Sequence, residues 1–570
     1  MFLPATQKEM AALGWDALDM ILITGDSYVD SPYIGVAVIG KVLVDAGYRV
    51  GIIAQPDISS DKDICRLGEP ELFWGVSAGC MDSMVANYTA TLKRRKSDNL
   101  TAGGKNTKRP DRAVIAYTNL IRQYFKKTKS IVIGGIEASL RRISHYDYNS
   151  NAVRRSVLFD AKADILVYGM GEKAILEIAE HLKDSKPIHD IRNIRGICYI
   201  AKEKPAGHIE LPSHAEVAKN KTAFKNMFLQ FYKNADPMSA KGLCQLQDTR
   251  YLIQTPPQFP LTTDELDHIH ELGFEQDVHP AHRKDGVVNA LDTIRFSINT
   301  HRGCFGECHF CAITIHQGRI ISNRSEASIL KEAASFTKHA EFKGIIRDAG
   351  GPTANMYGME CEHIKKQGAC PDKNCLFPEP CRKLPISHKR QIRLLQQLRQ
   401  LPGVKKIFIG SGIRHDLILC DKKYGQKYLR ELISHHISGQ LKIAPEHTED
   451  HVLALMGKPK ANAFAKFVSL FDQTTKNLGN KQFLTCYFIA AYPGCAMKDM
   501  QNLKQFIRKV LRFTPEQIQV FTPTPSTMAT LMYYTEKDTF TGKHIFVEKD
   551  SAKKENQKKI LKGNRSFRKK

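Results

Sequence analysis

Three cysteines lie within eight residues of one another and carry the strongest chemical signal in the chain. Cys304, Cys308 and Cys311 are spaced C-x3-C-x2-C, directly after a predicted strand. Thiolates are soft ligands that suit zinc ions and iron–sulfur clusters. Zinc sites usually contain C-x2-C pairs, and zinc here would need a fourth ligand such as His301 or His309. The spacing therefore favours an iron–sulfur cluster, and three protein ligands would leave one iron open.

A second group of four cysteines follows in a stretch that has the composition of a loop. Cys361, Cys370, Cys375 and Cys381 are spaced C-x8-C-x4-C-x5-C across residues 361–381, among several glycines and prolines. Four thiols without regular secondary structure suggest a metal that holds a loop together. The spacing matches no established motif, so zinc, an auxiliary iron–sulfur cluster and unliganded thiols all remain open.

The residues around the first three cysteines resemble a known family. An aromatic residue, Phe310, precedes the last cysteine, and the stretch SINTHRGCFGECHFCAI at residues 297–313 is similar to the YgiQ, or UPF0313, family of radical S-adenosylmethionine (radical SAM) proteins. The stretches GDSYVD at residues 25–30 and DAGGPTAN at residues 348–355 match the same family. The resemblance covers nearly the whole chain and weakens in the basic C-terminal tail.

This resemblance implies an enzyme whose [4Fe-4S] cluster is held by Cys304, Cys308 and Cys311. The amino and carboxylate groups of S-adenosylmethionine (SAM) would chelate the open iron. One electron, supplied by a reductant protein such as flavodoxin or ferredoxin, would cleave the sulfonium bond and release a 5′-deoxyadenosyl radical. That radical would abstract hydrogen from a substrate that the sequence does not identify. The sequence also names no catalytic acid, base or hydrogen donor.

Several residues that follow predicted strands are candidates for contact with SAM. The candidates are Phe310, Gly350, Gly351, Ser411, Arg414 and Glu446. The resemblance implies that the backbone at Gly350 and Gly351 approaches the methionyl amine, since this chain has proline where related proteins often have an acid. Ser411 and Glu446 would bond the ribose, and Arg414 would bond the methionyl carboxylate. The alternative for each polar residue is a structural role as the cap of the following helix.

The elements that would position these residues form two successive α/β units. Apolar strands alternate with helices in the first unit, which predicts a doubly wound parallel sheet in a Rossmann-like, cobalamin-binding-like domain at residues 1–200. A second series of strands and helices, with a Cys-rich loop at residues 361–381, predicts the radical SAM core at residues 291–535, and the resemblance implies a partial (β/α)6 barrel there. Residues 201–290 are interpreted as a connecting region and residues 536–570 as a basic, disordered tail.

The N-terminal domain carries little evidence for a cofactor of its own. Cobalamin-binding domains have the pattern Asp-x-His-x-x-Gly after the first strand, and the corresponding residues here run from Asp30 to Gly35. Pro32 replaces the histidine that would ligate cobalt, so cobalamin is not expected. Glycines at 134–135 and 169–171 follow two predicted strands, and they either line a ligand crevice at the C-terminal edge of the sheet or form ordinary tight turns.

The chain is strongly basic, which leaves RNA open as a partner. It has 84 Lys and Arg against 59 Asp and Glu among 570 residues, a formal net charge of +25. A nucleic-acid-binding protein with structural zinc in both cysteine groups is therefore the alternative to the radical SAM enzyme. The sequence has no run of about 18 apolar residues and no signal-peptide pattern, so we expect a cytoplasmic protein without a membrane span.

Overall fold

The computed structural model describes residues 1–370, 373–511 and 515–562. Its N-terminal half is built on one nine-stranded sheet. The strands are β1 (Met20–Thr24), β2 (Val50–Ala54), β3 (Phe73–Ser77), β4 (Ser130–Gly134), β5 (Ile165–Val167), β6 (Ile197–Ala201), β7 (Ile209–Leu211), β8 (Leu243–Gln247) and β9 (Arg250–Gln254). Their order across the sheet is β7-β8-β9-β6-β5-β4-β3-β1-β2. The block from β2 to β5 is entirely parallel, whereas β6 and β9 add antiparallel pairs.

Helices cover both faces of the parallel block. Ile21 in β1 belongs to the apolar core under the helix Ala113–Tyr124. The next residue, Leu22, belongs to the core under the helices Gly35–Asp45 and Glu172–Lys183. Successive side chains of a strand point to opposite faces of a sheet, so both faces must be apolar when both are covered. The predicted α/β class with a large parallel sheet is confirmed.

The structure differs from the prediction that residues 201–290 only connect two domains. Strands β7, β8 and β9 come from this region and extend the N-terminal sheet. β8 and β9 form a hairpin whose turn residue Asp248 has a φ of +57°. Their sequences, LCQLQ and RYLIQ, mix polar and apolar residues over only five positions. Such short mixed runs give a weak strand signal, because pairing in the sheet rather than an apolar run stabilises them.

Seven strands of the C-terminal half are joined to one another by parallel pairs. They are β10 (Ser297–Asn299), β11 (Ile345–Ile346), β12 (Asp348–Gly350), β13 (Lys406–Ile407), β14 (Gln440–Glu446), β15 (Phe483–Ala490) and β16 (Gln517–Val520). β10 pairs with β12, β11 with β13, β14 with β15, and β15 with β16. A parallel bridge between Ile413 and Ile443 links the segment after β13 to β14. Parallel neighbours need long crossovers, and helices supply them here.

Helices occupy most of the remaining chain. The helices of the N-terminal half are Gln7–Ala12, Gly35–Asp45, Ser83–Asn87, Ala113–Tyr124, Gly135–Leu140, Val157–Ala161, Glu172–Lys183, His214–Lys219, Lys221–Lys233, Thr263–Glu271, Pro280–Arg283 and Leu291–Ile294. The later helices are Ala312–Gln317, Glu326–Phe336, Glu362–Gln367, Lys389–Gln400, His415–Cys420, Gly425–Glu431, Asp450–Met456, Ala461–Asn477, Met497–Val510, Met528–Thr535 and Ser551–Leu561. No helix within the described residues has the length and apolar character needed to span a bilayer.

The C-terminal tail contains a helix at Ser551–Leu561 where disorder was predicted. Gln557 is fully buried and accepts a hydrogen bond from the backbone N–H of Ala491 at 2.9 Å. Lys554 and Leu561 are also buried, and their spacing places them on the same face as Gln557. Composition concealed this face, because a lysine with a buried aliphatic stem counts as a charge in the sequence. Residues 563–570 of the predicted tail lie outside the described residues.

Candidate functional site

The loop after β10 brings Cys304, Cys308 and Cys311, called the cysteine trio below, to one cavity of about 150 Å³. Gly303 enters this loop with a φ of +81°. A Cβ at this residue would overlap the carbonyl oxygen of Ile320, so both the conformation and the space require glycine. The three thiols that the sequence groups by spacing therefore line one cavity in the fold.

The trio is shielded from water and faces a cation. Burial raises the pKa of Cys311 to about 12 and also raises the pKa of Cys304. Arg414 Nη1 lies 3.7 Å from Cys308 Sγ. The other guanidinium nitrogens donate to the Asp416 carboxylate at 2.6, 3.0 and 3.2 Å. The Arg414 charge opposes the rise in the pKa of Cys304, because a nearby cation favours the thiolate, which is the form that binds metal.

The spacing of the sulfur atoms bears on the kind of metal that the trio suits. A tetrahedral zinc ion with Zn–S bonds of about 2.3 Å holds its sulfurs about 3.8 Å apart. Within the described residues, the one set of three His, Cys, Asp or Glu ligand atoms that all lie within 4.8 Å of one another is Glu449, His451 and Asp499. The trio is not such a set, so at least two of its sulfur atoms lie more than 4.8 Å apart.

The predicted SAM contacts are divided between the trio cavity and its surroundings. Arg414 lines the cavity. Ser411 donates its hydroxyl to Asp348 Oδ1 at 3.0 Å. Gly350 packs against Ser411, since a Cβ at residue 350 would overlap Ser411 Oγ. Gly351 borders a second, larger cavity. Ser411 and Gly350 therefore pack against each other. Neither is among the described residues that line the trio cavity.

Phe310 and Glu446 lie around a lysine that the sequence analysis did not single out. Lys458 lines the trio cavity, with its Nζ 5.9 Å from the centroid of the Phe310 ring and 3.7 Å from a carboxylate oxygen of Glu446. The same ammonium donates to the carbonyl oxygen of Ala444 at 2.9 Å. Burial raises the pKa of Glu446, and the Lys458 charge opposes that rise. The lysine is therefore a buried cation at the edge of the cavity.

Cys361, Cys370, Cys375 and Cys381, called the cysteine quartet below, surround a cavity of about 70 Å³. The backbone N–H of Cys381 donates to the carbonyl oxygen of Cys375 at 2.8 Å. Burial raises the pKa of Cys375 to about 12, and the neighbouring thiols add to the rise. One apolar cluster, which includes Phe305, lies between the quartet and the trio. Residues 371 and 372 of this loop lie outside the described residues.

A larger cavity of about 460 Å³, called the sheet-edge cavity, lies between the C-terminal edge of the N-terminal sheet and the loop of the trio. Its sheet side includes the glycines at 134–135, Gly169 and Gly171, so these residues line a crevice, one of the two roles considered from sequence. Its other side includes Ile313 and Pro352, which also line the trio cavity. The two cavities are therefore neighbours, and Ile313 and Pro352 line both of them.

Comparison with known proteins decides the family. A family model described as "Radical SAM N-terminal" matches residues 2–297. A UPF0313 protein of Fusobacterium nucleatum is 55% identical over 569 residues, which cover 100% of both chains. A UPF0313 protein of Thermotoga maritima is 49% identical over 549 residues, 96% of each chain. This chain belongs to the UPF0313 family of radical SAM proteins. The predicted family is confirmed, and the comparisons give no support to the nucleic-acid-binding alternative.

Two solved radical SAM structures share the fold of this UPF0313 chain. The methyltransferase TsrM from Kitasatospora setae, with cobalamin and a [4Fe-4S] cluster bound, has a TM-score of 0.50 and 13% identity over 91% of this chain and 78% of that chain. The cobalamin-dependent radical SAM enzyme OxsB, with aqua-cobalamin bound, has a TM-score of 0.50 and 12% identity over 91% of this chain and 56% of that chain. At these identities the similarity concerns the fold alone.

Sequence reasoning missed the residues that hold Arg414 in this radical SAM chain. Asn355 accepts from the backbone N–H of Arg414 at 2.8 Å and donates to its carbonyl oxygen at 3.0 Å. Thr353 Oγ1 lies 3.5 Å from Cys304 Sγ. Both residues belong to the DAGGPTAN stretch at residues 348–355, which carries the family resemblance. That stretch was the available signal, although it does not say which cysteine or arginine its side chains contact.

Proposed function

We propose that this chain is a radical SAM enzyme that binds a [4Fe-4S] cluster through Cys304, Cys308 and Cys311. One observation carries this proposal: three thiols line one cavity beside the guanidinium of Arg414. Thiolates are the ligands that iron–sulfur clusters use. Gly306 supports the fit, because a Cβ there would lie 2.8 Å from Arg414 Nη1 and 3.2 Å from Cys304 Sγ.

The residues of the chain would bind, orient and shield the reacting groups. When bound, the reduced cluster and SAM would supply a 5′-deoxyadenosyl radical that abstracts hydrogen from the substrate. Arg414 Nη1, the guanidinium nitrogen not paired with Asp416, would bind the methionyl carboxylate. Burial of the cavity excludes water, which protects a reactive species from side reactions. The electron would come from a reductant protein such as flavodoxin or ferredoxin, and the substrate remains unidentified.

The remaining SAM contacts are proposed from the family resemblance together with their positions. The backbone at Gly350 and Gly351 would approach the methionyl amine, and Phe310 would border the cofactor. Ser411 and Glu446 would contact the ribose. Both polar side chains already have partners, Asp348 for Ser411 and the Lys458 ammonium for Glu446, so each would share its hydrogen-bonding capacity with SAM.

We propose that β10 to β16 and their helices form a partial (β/α)6 barrel. The parallel pairs between successive strands and the helical crossovers support this layout. The trio follows β10, and Arg414 follows β13. Both therefore lie after the carboxyl ends of strands, where barrel enzymes have their active sites. A cytoplasmic location and an RNA partner remain predictions that rest on the sequence alone.

We propose that the quartet is a second metal site. All four thiols border one small cavity. Four thiolates suit either a zinc ion or an iron–sulfur cluster. Metal analysis of the purified protein separates the two alternatives.

We propose that the chain works without cobalamin, although TsrM and OxsB are solved with it bound. Pro32 lines the sheet-edge cavity at the position where a cobalt-ligating histidine was sought in the sequence. The cavity of about 460 Å³ lies in the lower half of the range of ~300–1,000 Å³ that holds drug-sized ligands. A corrinoid macrocycle is much larger than such ligands, so these dimensions argue against it.

Anaerobic reconstitution tests the proposal directly. Full-length protein incubated with iron and sulfide is expected to gain the visible charge-transfer absorbance of an iron–sulfur cluster. It should then release 5′-deoxyadenosine from SAM when dithionite is the reductant. A variant with all three trio cysteines changed to alanine should lose 5′-deoxyadenosine release and the iron of the trio, about four atoms per chain, while any metal at the quartet stays. Cys65→Ala, a change at an isolated cysteine, should keep both the iron of the trio and the release of 5′-deoxyadenosine. If the trio variant bound as much iron per chain as the unchanged protein, the proposed function would be overturned.

A further inference from the structure

We infer that the sheet-edge cavity is the substrate site and that it takes a small organic molecule with an apolar body and an N–H donor, uncharged or cationic, and without phosphate or carboxylate groups. This inference rests on the proposed function, because it deepens the same site. It is carried by the position of the cavity, by unpartnered polar atoms in its wall and by the balance of charge around it.

The sheet-edge cavity lies directly beside the trio cavity. Ile313 and Pro352 line both the sheet-edge cavity and the trio cavity. Gly351 also lines the larger cavity and packs against His301, since a Cβ at residue 351 would lie 2.6–2.9 Å from the imidazole ring. A molecule in the sheet-edge cavity would therefore lie against the wall of the cavity that holds the trio, where hydrogen abstraction would take place.

Some buried polar atoms in the wall of the sheet-edge cavity have no hydrogen-bond partner. Glu172 is 4% exposed; its Oε1 accepts from Arg302 Nη1 at 2.5 Å, while its Oε2 has no partner. His301 is 1% exposed and has partners, since its Nδ1 lies 2.9 Å from Thr300 Oγ1 and the ring also bonds to the backbone of Thr353. The hydroxyl of Tyr33, another lining residue, lacks a hydrogen-bond partner, as Glu172 Oε2 does. Buried polar groups are normally satisfied, so a ligand that donates to Glu172 Oε2 explains this arrangement.

The charged side chains that line the sheet-edge cavity leave no cation free for a ligand. Arg302 is the cationic residue among the described lining residues, and Glu172 already pairs with it. Asp26 also lines the cavity, and it forms an ion pair with Arg109, which is not a lining residue. Burial lowers the pKa of His301 to about 4, which leaves this imidazole neutral near pH 7. A phosphate or carboxylate group would thus enter the cavity without a free cation to bind it, which is costly in a buried site.

The apolar lining defines the rest of the ligand. The side chains that supply it include Ile34, Ile39, Val167, Met170, Ile175 and Ile313. Gly135 and Gly169 in the same wall have φ values of +79° and +76°, so the backbone comes to the cavity surface there without side chains. Apolar walls with a few polar groups are typical of small-molecule sites. RNA is disfavoured by the same lining, because its cation, Arg302, is already paired with Glu172 and is not free for the phosphate backbone.

Matched probes test the chemistry of the site. Binding of tryptamine, indole-3-acetate and uridine monophosphate to the full-length protein is measured by calorimetry at millimolar concentrations. Tryptamine should bind, and the two anions should not. Glu172→Gln should weaken tryptamine binding about tenfold or more, because a charge-assisted hydrogen bond is lost. Glu180→Gln, a change at an exposed residue of the same helix, should leave binding unchanged.

A second variant keeps the test informative if Glu172→Gln disturbs the Arg302 pair. Ile39→Phe adds volume to the cavity wall and should also weaken tryptamine binding, with the fold monitored by circular dichroism. The inference is overturned if tryptamine fails to bind, if either anion binds as well as the amine, or if neither variant changes the affinity. Titration with hydroxocobalamin is included, and stoichiometric binding blocked by Ile39→Phe would assign the cavity to a corrinoid instead.

The outcomes separate this inference from the proposed function. If the protein loads iron at the trio and cleaves SAM but fails to bind tryptamine, only the substrate inference falls. If tryptamine binds and Glu172→Gln weakens it while no iron loads at the trio, the cavity assignment survives as a ligand site and the radical SAM proposal fails.

Discussion

The trio and the quartet present the same ligand chemistry on different supports. Backbone hydrogen bonds tie the loop of the trio to Gly318, Met456 and Ala529 at 3.1, 3.0 and 2.9 Å. Met456 and Ala529 belong to distant parts of the chain, so the fold around the trio fixes its loop. The quartet has a backbone bond between Cys375 and Cys381, and its loop is tied to a distant residue where the backbone N–H of Ala369 donates to Asp236 Oδ2 at 2.9 Å. The quartet lies around the short helix Glu362–Gln367, whereas the trio follows strand β10.

Charge separates the two groups as well. The trio faces the buried Arg414–Asp416 pair, and Lys458 lies at the edge of the same cavity. The charged and titratable side chains that border the quartet cavity are exposed, and they are His363, Lys373 and Lys383. A metal site that must be reduced and hold SAM needs fixed charges near its ligands, whereas a site that holds a loop needs only its ligands. The comparison therefore agrees with the proposed chemistry at the trio, and we expect a structural role for the quartet.

A pair of single cysteine variants tests most directly whether the trio and the quartet have different roles. Cys304→Ala should lose the iron of one cluster, about four atoms per chain, and abolish 5′-deoxyadenosine formation. Cys375→Ala should lose only the metal of the quartet and keep SAM cleavage. Anaerobic metal analysis and product chromatography measure both effects. Loss of SAM cleavage in Cys375→Ala would place the quartet in the reaction and remove the distinction.

The ion pair beside the trio should be the next most sensitive feature. Arg414→Met leaves Asp416 as a buried carboxylate without its partner, and such unpaired charges cost about 3–5 kcal/mol of unfolding free energy. Urea unfolding measures the loss, and the double variant with Asp416→Asn should recover part of it. Arg393, whose ion pair with Glu326 is exposed, provides the control, and Arg393→Met should leave the unfolding midpoint unchanged. Equal midpoints for the two single variants would show that the buried pair is dispensable.

The sequence could predict the trio because its ligands are local, within eight residues of one another. The Glu172–Arg302 pair could not be predicted in the same way, since its members lie 130 positions apart and meet only when the sheet packs against the trio loop. Lys458 was missed for the same reason. It follows Gly457, which has a φ of +68°, and it reaches the trio cavity because β14 and the next helix turn it inward.

The fold could be predicted where the strands are long apolar runs. The prediction failed for strands that pairing in the sheet stabilises. The strands β1 to β5 are nearly continuous apolar segments, typical of a sheet that is covered on both faces. Strands β7 to β9 contain buried glutamines, among them Gln245 and Gln254, which have side-chain partners that a sequence does not reveal. The helix Ser551–Leu561 was hidden by its lysines. Burial of Lys554 beside the hydroxyls of Tyr148 and Tyr533 is a tertiary effect.

A smaller effect is expected at the residue that holds Arg414 in place. Asn355 is fully buried and makes both backbone hydrogen bonds to Arg414. Asn355→Ala leaves those groups unsatisfied and should cost about 1–3 kcal/mol of unfolding free energy. It should also slow iron loading of the trio without affecting the quartet. Asn99→Ala, at an exposed residue, is the control, and indistinguishable loading rates for the two variants would count against a positioning role for Asn355.

The mildest change is removal of metal from the quartet alone. Leu376 and Leu384 of its loop are buried against Met356 and Met359, so apolar packing should hold most of the loop after a chelator has taken the metal. We expect faster proteolysis around residues 361–381, with the iron content of the trio and the global unfolding midpoint unchanged. Cys375→Ala protein should be cleaved at the faster rate before chelator is added. A chelator that strips the quartet and lowers the global midpoint at the same time would show that the two sites fold as one unit, and the difference in support between them would then carry no functional meaning.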